Sequence, residues 1–206
     1  TLRLRYVLSR AATLAEAKKL WQTTNNTVGF NHMIASASDA RAMVMETMFG
    51  YTAYFDANDP REQAGSWTNA TSGATVKIGF PMPDAVFRTN HGYDPKTVAS
   101  FLDSRSPTSW TVVRYKALHT VLSDYEAAQT QMGVPEMMNL TSILGDKGDN
   151  VYTCGAQKRM GTNVLSVVFA PKSAHAHVAW EAKRGAERSP AACATYIDFD
   201  LSRFFA

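Results

Sequence analysis

Asn90-His91-Gly92 is the stretch of this sequence whose residue types most readily suggest chemistry. It follows a segment of strand character and precedes a helical one. An amide at a strand end can donate hydrogen bonds into a cleft, and a glycine lets a ligand approach the backbone. The same residue types also make ordinary turns, so spacing alone leaves both readings open. His175 and His177 are two apart and would share one side of a strand, but no third metal ligand is placed near them. They read as solvent-facing strand histidines. Gly145-Asp146-Lys147-Gly148-Asp149-Asn150 lacks the acidic alternation and closing Glu of a calcium loop and reads as a turn. Ser104, Ser106 and Ser109 show no nucleophile-elbow pattern. The nine methionines read as core filler. An N-terminal Thr can use its own amine as base, but such a residue leads a strand, whereas Thr1 leads a helical pattern. Cys154 and Cys193 have no partners at metal-ligand spacing; a disulfide, two buried thiols or bonds to another chain all fit them. No metal and no cofactor is expected.

These residues need elements to position them. Leu4, Val7, Leu8 and Ala11 have helical spacing, so the chain begins inside a helix, as in a processed chain or a fragment. Thr13 and Glu16 form a capping box that starts a second helix with Leu14, Ala17, Leu20 and Trp21 on its apolar face. Residues 33–37, 42–47 and 51–55 read as a β-meander, and 56–73 as a loop. Strands are expected at 75–80 and 85–89. Helices are expected at 96–102, 110–131 and 136–144, the second with Val113, Ala117, Val121, Leu122 and Tyr125 on one stripe. Gly133-Val134-Pro135 should break that helix. Strands return at 151–154, 164–169 and 174–180, a charged loop covers 183–190, and 196–205 is an alternating tail. This order predicts helices packed on antiparallel sheet, an α+β layered architecture.

Composition narrows the class. With 206 residues, 45% hydrophobic and 19% charged, the chain is neither disordered nor collagen-like. No apolar run approaches the ~18 residues of a transmembrane helix. The 21 basic and 18 acidic residues are scattered, so nucleic acid is not an expected partner. Three Asn-x-Ser/Thr sequons, at Asn25, Asn69 and Asn139, are a mild excess over chance and predict a glycoprotein that is secreted or lysosomal.

Around Arg88-Thr89-Asn90-His91 the chain resembles the acyl-coenzyme A:6-aminopenicillanic acid acyltransferase family, which are N-terminal-nucleophile hydrolases. Ala-Thr-Leu-Ala-Glu-Ala at 12–17 precedes Asn-His-Met-Ile-Ala-Ser-Ala at 31–37 and a strand ending in Glu46. Ser-Pro-Thr-Ser-Trp-Thr-Val-Val-Arg-Tyr at 106–115, Ile-Leu-Gly-Asp at 143–146, Tyr-Thr-Cys at 152–154 and Ser-Val-Val-Phe-Ala-Pro at 166–171 follow in the same order. The resemblance implies a four-layer αββα sandwich and autocatalytic cleavage that exposes a nucleophilic Cys. It also implies an acyl-enzyme formed from a small acylated amine, with Asn90 in the oxyanion hole and Arg88, His91 and Arg159 on the substrate side. This sequence departs from the family in three ways, one being that the Asp and Arg that usually follow the nucleophile closely are absent. Neither cysteine is N-terminal, and Gly155 stands where some members carry a catalytic-site Arg, with Lys158 and Arg159 further on. The expectation is therefore that residues 1–206 form the C-terminal chain of a single αββα domain, a heterodimer whose nucleophile is on an upstream chain of the same precursor. The alternative is a non-catalytic binding or structural protein that keeps the fold.

Overall fold

The computed structural model describes residues 2–26, 29–101, 104–142, 163–182 and 189–204. The chain divides into two compact units, Thr1–Lys116 and Ala117–Ala206. Each combines helices with a small antiparallel sheet, the α+β mix expected.

The first unit opens with α1 (Leu2–Leu8) and α2 (Leu14–Gln22). At the start of α2 the Thr13 hydroxyl accepts from Glu16 N at 3.2 Å, and the Glu16 carboxylate reaches back to Ala12 N at 2.8 Å. Asp39 adds a third acceptor, taking Leu14 N at 2.6 Å, so two of the helix's own free amides, Leu14 and Glu16, and the preceding Ala12 N are satisfied by side chains. The meander follows as β1 (Phe30–Ser36), β2 (Arg41–Met48) and β3 (Tyr51–Phe55), paired antiparallel in that order. The two-residue Phe49-Gly50 turn joins β2 to β3, with Gly50 at φ +71°, a conformation that costs glycine little.

Side chains alternate across a sheet, so the register sorts the meander into two faces. Ile34 and Met45 lie on the face that packs against Val7, Ala17 and Trp21 of α1 and α2. Trp21 is fully enclosed: its indole N–H donates to Thr52 Oγ1 at 3.2 Å and the Arg3 guanidinium covers its ring. The opposite face carries Asn31, Val44, Glu46, Ala53 and Phe55. All five residues from Met43 to Thr47 are buried, because β2 is central and covered on both sides.

Beyond the meander the structure departs from the expected elements. The polar stretch 56–73 contains a helical turn, α3 (Pro60–Gln63), capped by Asp59, and a short strand, β4 (Ser66–Thr68). Both signals were present, an N-cap residue and a proline at the first helical position. The strand expected at 75–80 is limited to β5 (Thr75–Lys77), which pairs with β4; Ile78 N and Gly79 N turn away to donate to Gly65 O. No strand forms at 85–89, and in the described part of the helix expected at 96–102, residues 96–101, the helical structure is a 3-10 turn, Val98–Ser100.

The boundary between units falls within α4 (Trp110–Ala127). Its buried positions include Thr111, Val112 and Tyr115, not the stripe through Val113. Counting only apolar residues misplaces this face, because two of its members are held by their hydroxyls. The second unit has α5 (Val134–Ser142), which Pro135 begins instead of blocking. It also has β6 (Leu165–Ala170), β7 (His175–Trp180) and β8 (Ile197–Asp200), an antiparallel sheet in sequence order. α5 packs on β6, and the Tyr196 hydroxyl bonds both Thr141 and Ser166. The register puts Leu165, Phe169, Trp180, Ile197 and Phe199 together on one face, all exposed. Among the described residues, no helix is long and apolar enough to cross a membrane. The expectations for Thr1, the 145–150 turn, the 151–154 strand, residues 183–188 and Phe205 fall outside the described residues.

Replacing Thr13 with Ala removes one cap acceptor and leaves Asp39 and Glu16 in place. Unfolding of the first unit should be easier by ~1 kcal/mol, read from a urea melt whose midpoint falls at unchanged slope.

Candidate functional site

Two carboxylates enter the interior of the first unit from separate elements, Glu46 from the middle of β2 and Glu62 from α3. Arg88 lies between them with its side chain 2% exposed. Its Nη1 donates to Glu62 Oε2 at 2.6 Å and to Phe87 O at 2.9 Å, and its Nε donates to Glu46 Oε1 at 3.3 Å. The guanidinium also lies over the rings of Phe55 and Tyr93. Burial disfavours this cation, but the two glutamates outweigh burial and hold Arg88 above its ordinary pKa.

Glu46 does more than balance charge. Its carboxylate accepts the backbone N–H of Tyr93 at 2.8 and 2.9 Å, that of Asp94 at 2.9 Å and the Thr97 hydroxyl at 2.8 Å. It therefore takes the place of a neighbouring strand for a segment that has none. Gly92 belongs to this contact: a Cβ there would lie 2.8 Å from the Phe101 ring and 3.0 Å from Glu46 Oε2. The close approach at Gly92 is made by this carboxylate and this ring. Gly79 is under the same kind of constraint, since a Cβ would meet Glu62 O at 1.8 Å.

His91 is fully buried, and the hydrogen-bond geometry assigns its protons. Tyr93 O–H donates to Ile78 O at 2.9 Å, so His91 Nε2, 2.9 Å from the same phenol oxygen, must be the N–H donor. His91 Nδ1 lies between two hydroxyls, that of Thr111 at 3.0 Å and that of Thr89 at 3.2 Å. Thr89 donates its own hydroxyl to Thr111 O at 2.8 Å. Burial, followed by the nearby Arg88 and Arg105, lowers the His91 pKa to about 3, so the imidazole is neutral and its one proton is on Nε2. Burial also raises the phenols of Tyr93 and Tyr115, the second bonded to Glu62 and to Phe80 N.

Asn90 differs from its neighbours in presenting its side chain to solvent. Its backbone N–H donates to Thr111 Oγ1 at 2.7 Å, and the carbonyls on either side, Thr89 O and His91 O, accept from Asn31 Nδ2 at 2.7 and 2.8 Å. Its carboxamide makes no hydrogen bond among the described residues. No family model, curated protein or solved structure matches this chain.

Arg88, Asn90 and His91 are on one segment, but only Asn90 faces solvent. Arg88 and His91 face inward: Arg88 Nε and Nη1 and His91 Nε2 donate to protein atoms, while Arg88 Nη2 is buried with no hydrogen-bond partner among the described residues. Arg159 lies outside the described residues, as does Cys154; Cys193 is disulfide-bonded. Asn25 and Asn139 are exposed, whereas the Asn69 carboxamide oxygen is turned into its hairpin, accepting from Thr71 N and Ser72 N. His175 and His177 share one face of β7 as expected, half-buried, with Nδ1 atoms 2.8 and 3.5 Å from Asp198 Oδ1. That carboxylate holds the His175 pKa above its ordinary value. Among the described residues, no group of three His, Cys, Asp or Glu is arranged to hold a metal ion. A polar cleft of about 240 Å³ lies at the end of α2, lined by residues including Arg3, Thr24, Asn25 and Tyr51 but by none of Arg88, Asn90 or His91.

Sequence reasoning singled out neither Asn31, Glu62, Thr111 nor Tyr115, and it met Glu46 only as a strand end. The available signal was a carboxylate inside the apolar run Ala42–Thr47, where a charge needs a buried partner.

The neutral His91 makes stability depend on pH. In the unfolded chain it titrates near 6.5, and in the folded unit near 3. Between these values the unfolded state binds the extra proton. This contribution is complete above pH 6.5 and is lost as pH falls toward 3, with a slope of up to ~1.4 kcal/mol per pH unit. Urea melts across this range should show the slope, and a His91→Gln variant should lack this component.

Proposed function

We propose that this chain is the C-terminal chain of a processed N-terminal-nucleophile amidohydrolase or acyltransferase of the four-layer αββα type. The observation that carries the reading is Asn90: its own N–H and the carbonyls of Thr89 and His91 on either side are held by hydrogen bonds, while its carboxamide is left free at the surface. A donor held in place before the reaction is what an oxyanion hole requires, because it stabilises developing charge without reorganising.

In this reading the nucleophilic cysteine is on a partner chain, because Cys193 is already committed to a disulfide. The α-amine of that cysteine takes the thiol proton and the thiolate attacks an amide carbonyl carbon. Asn90 Nδ2–H donates to the oxygen as it becomes negative. The C–N bond then breaks, the proton passes to the leaving amine, and water or a second amine takes the acyl group from sulfur. Arg88 and His91 act from inside the segment by fixing its path. The disulfide and the exposed Asn25 and Asn139 fit passage through an oxidising secretory route, hence a secreted or lysosomal glycoprotein.

Two measurements on material purified from its native source test this. N-terminal sequencing under reducing, denaturing conditions should find a stoichiometric second chain beginning with Cys. Against a p-nitroanilide amide, Asn90→Ala should lower kcat by about 10²–10³ with the fold retained. A single chain with no amidase activity would replace this reading with a non-catalytic binding protein.

A further inference from the structure

We infer that Asn31 is the positioning residue for Asn90; as a statement about catalysis this rests on the acyl-transfer reading of Asn90, while its structural half does not. Asn31 is on β1, far from Asn90 in the chain, and its register partner is Glu46. Its two amide hydrogens can serve the two carbonyls that flank Asn90, Thr89 O at 2.7 Å and His91 O at 2.8 Å. One of the two peptide planes that meet at the Asn90 Cα, the 89–90 peptide, is thereby tied to this carboxamide, and so is the 91–92 peptide one plane further on. Thr111, from α4, holds the intervening N–H. Asn90 itself contributes no side-chain bond to this arrangement, so its placement is imposed by its neighbours.

The other end of Asn31 supports a positioning role over simple stabilisation. Nδ2 must be the donor end, since both partners are carbonyls, and this leaves Oδ1 buried with no partner. An unmet buried acceptor offsets much of what two neutral hydrogen bonds contribute to stability. The donor function of this side chain is thus better explained by where it holds residues 89–91 than by how tightly it holds the unit together. Small displacements matter at such a site: a shift of about 1 Å in a reacting geometry can cost on the order of 10²-fold in rate.

The test uses the full processed protein and three changes, Asn31→Asp, Asn90→Ala and the pair combined. Asn31→Asp keeps the size and removes both donors; Asn31→Ser, with one donor left, carries the same test if the Asp variant does not fold. Hydrogen exchange read by mass spectrometry should accelerate in the peptide covering 89–92, with α2 and β2 unchanged. Unchanged exchange at 89–92, or acceleration spread evenly over the first unit, overturns the inference. With a p-nitroanilide amide as probe, Asn31→Asp should lower kcat about tenfold or more with KM unchanged. The double variant should be no slower than Asn90→Ala alone, since both changes remove one donor function. Additive losses overturn the positioning role while leaving Asn90 catalytic. If Asn90→Ala leaves turnover intact, or the wild-type protein does not turn over the probe, the functional reading falls and the exchange result alone decides whether Asn31 holds the segment.

Discussion

A carboxylate with no exposure to water must be surrounded by donors, and Glu46 meets this demand by drawing residues 88–97 onto the sheet. Burying a charge without such compensation would cost many kcal/mol. The requirement therefore dictates local structure: two consecutive amides point at one side chain, a threonine hydroxyl joins them, and the chain at Gly92 passes too close for any side chain to fit. The asymmetry of hydrogen-bond energetics makes this binding. Each bond adds little on its own, but loss of the acceptor would strand several buried donors at once.

Asn31 and Glu46, partners across β1 and β2, divide the work by chemistry. The amide donates to carbonyls at 89 and 91, and the carboxylate accepts N–H groups at 93 and 94. Together they do for an irregular segment what a strand ladder does for a regular one. This is why residues 91–94 can be buried without forming a strand. Glu62, Arg88 and Tyr115 extend the same network to α3 and α4. The elements around Asn90 are thus connected through polar groups with fixed geometry, while the apolar core with Trp21 secures the other face.

The legibility of the fold followed this division. Helices with Thr13 as N-cap, the three-strand meander and α4 were readable because their signals are local: apolar period, cap chemistry and turn residues. Ala85–Thr89 read as a strand because its alternation is that of a strand, yet its carbonyl partner at Thr89 is a side chain 58 positions earlier. The buried stripe of α4 was misplaced for a related reason. Thr111 and Tyr115 count as polar by composition, and they are interior because their hydroxyls have partners there. Asn90 could be picked out by type and setting, but Asn31 could not, since nothing near it in sequence marks the carbonyls it would meet.

By itself, then, the sequence determined the class of elements, their order along most of the chain and the residues able to donate into a cleft. Periodicity, caps and turns act over a few residues and need no distant partner. Only the tertiary structure decided which polar groups face inward. It turned Arg88 and His91 toward protein atoms and left the Asn90 amide toward solvent, although the three are adjacent. The physical reason is that a buried polar group is stable only where a partner of complementary kind meets it. Such partners here come from β1, β2, α3 and α4, elements that chain folding alone brings together.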